Sequence, residues 1–130
     1  MESMKSIMIG CLLAFVATVA YADKYDDLYK KCMASYSSIN NSAVYDCGGS
    51  VEQQMQVYIT VILGKVYEAR SGDESGTQAI SEAHQKWADY MEAECVSQSS
   101  NIGSPMITIC SMEKMQARII ELQMYLMAYE

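Results

Sequence analysis

Four cysteines, Cys32, Cys47, Cys95 and Cys110, set the strongest limit on what this chain can fold into. They follow an N-terminal segment with the marks of a secretory signal: Lys5, an apolar run from Ile7 to Ala20, and the small-x-small pattern Ala20-Tyr21-Ala22. Residues 1–22 are therefore expected to be a signal peptide cleaved near Ala22. Its removal takes away Cys11, which lies inside the apolar run. The even set left in an exported domain predicts two disulfides. Four cysteines allow three pairings, but both sequential gaps are 15 residues. That symmetry favours Cys32–Cys47 and Cys95–Cys110, two similar loops each contributing about 3 kcal/mol in the chain-entropy model.

Residues 23–130 suffice for one domain with a modest core. The leader holds one acid and one base, so the mature part keeps the formal charge of −7. That charge disfavours nucleic acid and anionic lipid, and favours a basic protein partner. No second apolar stretch is long enough to insert into a membrane. A periplasmic or secreted location is expected.

The hydrophobic period is helical almost throughout. Tyr25, Leu28, Tyr29, Cys32, Met33 and Tyr36 form one stripe. Gly48-Gly49-Ser50 is expected to open a second helix, with Ser50 and Gln53 as a capping box and Val51, Met55, Tyr58, Ile62 and Val66 on its inner face. After a Ser71–Gly76 loop, a third helix is expected from about Thr77 to Val96, then a second loop from Ser97 to Gly103. Ser104-Pro105 reads as the cap and first position of a fourth helix carrying Met112, Met115, Ile119, Leu122 and Leu126. These features predict an all-α, disulfide-stapled bundle of three to four helices.

Chemistry-bearing residues are sparse. On the third helix, His84, Trp87, Met91 and Cys95 share one face, while Asp89, Glu92 and Glu94 turn away from it. Acid–base catalysis needs carboxylates in different environments facing one cleft, and these look alike and solvated. One histidine and oxidised cysteines do not make a zinc site. Asp26 and Asp27 read as an acidic terminus, and the many methionines as core filling. The expectation is a protein that is not an enzyme, with no catalytic residues, metal or cofactor.

The runs "AHQKWADYMEAEC" and "GSPMITICSMEKMQARIIEL" together resemble the LprI-type lysozyme-inhibitor domain. The resemblance rests on Gln85, Trp87, Glu94, Cys95, Gly103, Ser104, Cys110, Arg118 and Leu122. Upstream, Cys32, Cys47, Glu52, Leu63 and Tyr67 match the family's first half. Gly64 stands where the family usually has Asn, and Met91 where Arg is common. The resemblance covers essentially the whole of residues 23–130. It implies structural roles for Trp87, Tyr67 and Arg118, with Trp87 central beside the Cys95 disulfide and Arg118 bridging to Glu94 or another carboxylate between helices.

The resemblance also implies an exported binding protein that inhibits a cell-wall-degrading enzyme such as lysozyme. Two loops are the expected contacts: Gln98, Ser99, Ser100, Asn101 and Ile102 inside the Cys95–Cys110 loop, and Asp73 with Glu74 in the SGDES loop. An immunity protein against a periplasm-targeted antibacterial effector would show the same acidic, stapled domain, and an envelope structural or stress protein is a third reading.

Overall fold

The structure, a computed structural model, describes residues 24–129, so the expected signal peptide and its expected cleavage site lie outside the described residues. The chain forms four helices and no strand there: α1 over residues 24–33, α2 Asn41–Ala69, α3 Glu74–Asn101 and α4 Met106–Met127. The expected all-α, disulfide-stapled bundle is the observed one. Both favoured cysteine pairs form, Cys32–Cys47 and Cys95–Cys110, with Cα separations of 5.6 and 5.4 Å inside the range a disulfide spans.

Helix α4 is the centre, packed between α2 and α3. Gly48 meets Thr108 and Gln123 donates to the Tyr58 hydroxyl, so α2 and α4 run in the same direction. Cys95–Cys110, Tyr90 with Lys114, and His84 with Arg118 set α3 antiparallel to α4. Helix α1 lies antiparallel on α2, with the Tyr25 ring 6.4 Å from Tyr58 and Cys32 bonded to Cys47. Val51, Met55, Ile59, Ile62 and Val66 of α2 face Met112, Met115, Ile119 and Leu122 of α4 in one core. Both stripes recur every three or four residues, and their burial against each other gives the long helices most of their stability.

Helix boundaries differ from the expectation in four places. Helix α1 stops at residue 33, where the Ser35 hydroxyl and amide both bond the Cys32 carbonyl, so Tyr36 lies beyond it. Helix α2 begins at Asn41, because the Asn40 side chain accepts from the Ala43 amide and caps it there. Gly48-Gly49-Ser50 is thus helix interior. Helix α3 starts at Glu74, with Asp73 as its cap, and continues to Asn101. Ser97–Asn101 are therefore its last turns, not a loop. Pro105 occupies the α4 cap position, one residue later than expected, and makes no side-chain cap bond. The turn into it needs Gly103, whose φ of +117° is a conformation L side chains rarely adopt.

Gly48 stays in a helix because of what it touches. A Cβ there would lie 2.1 Å from Thr108 Cγ2, so the bare backbone lets α2 and α4 approach. Gly48→Ala is expected to cost about 1–3 kcal/mol by overpacking, offset by about 1 kcal/mol of helix propensity. In a Thr108→Ser background, which lacks that methyl, the same change should become neutral or stabilising. Urea midpoints of the four proteins in the cycle measure it.

Candidate protein-binding end

The bundle has two unlike ends. The α2–α3 turn closes one: Arg70 lies over the Tyr129 ring at 4.3 Å and 3.7 Å from Asp73, whose carboxylate also accepts from the Gly76 amide. Of the two expected contact residues there, Asp73 is committed to capping α3 and Glu74 is exposed in its first turn.

The opposite end gathers the end of α1, the start of α2, the end of α3 and the start of α4, and carries both cystines. Cys47, Cys95 and Cys110 are buried. The Tyr36 hydroxyl donates to Asp46 at 3.0 Å, tying the α1–α2 connection to α2. The Tyr45 hydroxyl bonds the Ser104 hydroxyl, tying α2 to the α3–α4 turn. Covalent and polar links thus hold the two connections side by side.

The surface so held is chemically distinctive. Segments 34–45 and 96–112 contain no Asp, Glu, Lys or Arg, in a chain that is 19% charged. Six of the eleven exposed large hydrophobics among the described residues lie in them: Tyr36, Tyr45, Val96, Ile107 and, most exposed, Ile39 at 80% and Ile102 at 69%. Much of the rest is Ser and Asn. Charge depletion with aromatic and apolar anchors marks the centre of protein interfaces, and Tyr, Ser and Asn dominate antibody binding loops for the same reasons of rigid area and adaptable hydrogen bonding.

Of the expected contact residues, Ser100, Asn101 and Ile102 are exposed here, while Gln98 and Ser99 are half-buried. Gln98 donates to Glu94, and the Asn101 amide to the Ser97 carbonyl, so both are engaged along the helix. The sequence reading missed Tyr36, Ile39 and Tyr45. The absence of charge from two long segments was a signal that could have found them.

The stretch around Trp87 departs from the expected arrangement. Trp87 is half-buried at the edge of the core, not at its centre. Its ring stacks on His84 at 5.2 Å, with the Arg118 guanidinium 5.7 Å away. Arg118 is buried, pairs with Glu121 on its own helix at 2.8 Å, and donates from Nε to His84 Nδ1 at 3.3 Å. The expected bridge between helices is thus not formed: the pair lies within α4, and Glu94 accepts from Gln98 instead. Tyr67 packs against the core as a structural residue would. Asp89 and Glu92 are exposed and Glu94 is half-buried. Among the described residues, no three His, Cys, Asp or Glu side chains gather as metal ligands would.

Burial and, secondarily, the nearby Arg118 charge hold the His84 imidazole below its ordinary pKa. Below the unfolded value of about 6.5, the unfolded chain therefore binds more protons at this site. The stability His84 contributes is full above that pH and is lost as pH falls toward the folded value. Glu52, raised by burial against the pull of Ser111, acts in the opposite sense: it contributes below the ordinary carboxylate value and loses this as pH rises through the folded one. The difference between parent and His84→Gln is therefore the clean readout. Thermal midpoints between pH 7.5 and 5.5 (about one unit either side of 6.5) should fall more steeply for the parent.

Comparison with known protein families, curated proteins and solved structures finds no match to this chain.

Proposed function

We propose that this protein is an exported binding protein that inhibits a basic cell-wall-degrading enzyme of the lysozyme or muramidase type. The observation that carries the reading is the cystine-bearing end, where exposed Ile39 and Ile102 stand in two segments without charged residues, beside two disulfides. A backbone tied down by disulfides before association loses little freedom on binding, so apolar burial there converts more fully into affinity. The net charge of −7 supplies long-range attraction to a basic partner. The disulfides are compatible with an oxidising compartment, and no helix of the described residues is long and apolar enough to cross a membrane.

The test is cell-wall lysis by a panel of basic muramidases, titrated with the oxidised protein at low and physiological salt. Stoichiometric inhibition at physiological salt is expected, since a packed apolar contact is not screened. Inhibition confined to low salt would mean charge attraction alone. Inhibition of no muramidase would overturn the reading and leave a single cognate effector as the next partner to test.

A further inference from the structure

We propose that the outer face of α2 is a self-association surface, on which a second copy of this chain packs its own α2 antiparallel about a two-fold axis. The inference is independent of the inhibitor reading and is tested without any enzyme. Helix α2 buries Met55, Ile59 and Ile62 in the core it shares with α4 and turns its opposite side to solvent. Val57 and Val61 lie one turn apart on that side, 61% and 48% exposed. A second apolar row, opposite a core stripe that is already filled, marks a face for another protein.

Shape favours a helix as the occupant. The two valines line a groove of about 530 Å³ that follows α2 from Ser50 to Val61 and is edged by Lys24 and Tyr25 of α1. Its length, about 16 Å at 1.5 Å per residue, suits a helix laid alongside. Gly49 and Gly64 flank it on α2, and a Cβ at either would meet nothing within 4 Å. A neighbouring backbone can therefore come close at both ends.

Charge and symmetry select the second copy. A two-fold contact sets one patch against itself, so any net charge on it meets like charge. In a chain of net charge −7, residues 53–64 hold no Asp, Glu, Lys or Arg. The polar groups exposed there, the amides of Gln53, Gln54 and Gln56 and the Thr60 hydroxyl, each offer both a donor and an acceptor. Such groups pair with copies of themselves, while the valines bury one another. The one charge lining the groove, Lys24, is opposite in sign to the net charge of the approaching copy.

The experiment is sedimentation equilibrium of the full chain, exported and processed by its host, across a wide concentration range. The mass should rise from one chain to two and stop there, because a two-fold contact closes. Added salt should tighten the dimer by screening repulsion between two acidic copies. Val57→Asp enters the contact twice and should raise the dissociation constant about 100-fold, as unpaired charges in an interface do. Its thermal midpoint should not change, since the side chain stands mostly in water. Met124→Asp, at an exposed position of α4, should dimerise as the parent does. Val57→Asp and Val57→Lys should each be monomeric alone, and their equimolar mixture should recover the double mass. A parent that keeps the mass of one chain at every concentration would overturn the proposal and leave the groove to a different partner. A Val57→Asp variant that dimerises like the parent, a mixture that stays monomeric, or a dimer that dissociates with salt would overturn it equally.

Discussion

Replacing Cys95 and Cys110 together with alanine is expected to lower the unfolding free energy by about 3 kcal/mol, the loop-entropy value for a 15-residue closure. The bond joins the last turns of α3 to the second turn of α4 and is buried on both sides. For a domain of this size the corresponding drop in thermal midpoint is roughly 10–20 °C. Cys32 and Cys47 close a loop of equal separation, 15 residues. If loop closure sets the effect, Cys32→Ala with Cys47→Ala should cost the same. A marked inequality in denaturant midpoints would instead assign the difference to native contacts, since one bond holds the short first helix to α2 and the other holds α3 to the central helix α4.

A second large effect is expected at Leu122. Its side chain is fully buried on α4, the helix lying between α2 and α3, within the cluster that includes Ile62, Val66 and Ile119. Leu122→Ala removes three heavy atoms where walls on two sides cannot easily collapse, so a loss of about 2–5 kcal/mol is expected. Met124, two residues on, is 58% exposed. Met124→Ala should stay within about 0.5 kcal/mol. Urea unfolding of the pair, with equal m-values, separates core packing from any general effect of shortening an α4 side chain.

Much of the fold was legible because apolar residues repeat at helical spacing on α2 and α4 and the two cysteine gaps match. The boundaries were not, and each failure has a physical reason. Gly48-Gly49-Ser50 looks like a break, yet tertiary contact with Thr108 makes a bare backbone useful inside α2. Ser97–Asn101 has loop composition, but the chain stays helical until Gly103 turns it, held through the Cys95–Cys110 bond. Helical period placed Trp87 on the inner face of α3 without saying how deep that face lies. Arg118 found its carboxylate one turn away at Glu121, a pairing the spacing permits and charge alone did not single out.

The candidate binding end was half legible. Ile102 and its polar neighbours stood out as a stapled segment. Tyr36, Ile39 and Tyr45 did not, because they are distant from it in sequence and their segment is tied to the α3–α4 turn through the Tyr45–Ser104 bond. Surface that is apolar and uncharged yet kept out of the core is the shared property, and it emerges only when burial is known.

Whether the cystine-bearing end is the binding surface can be read from amide chemical-shift mapping of nitrogen-labelled protein titrated with an inhibited muramidase. The largest shifts and line broadening are expected within residues 34–45 and 96–107, with little change along Val57–Val61 or around Arg70 and Asp73. Perturbations centred on the α1–α2 groove or the α2–α3 turn, with the cystine-bearing end unaffected, would contradict that placement.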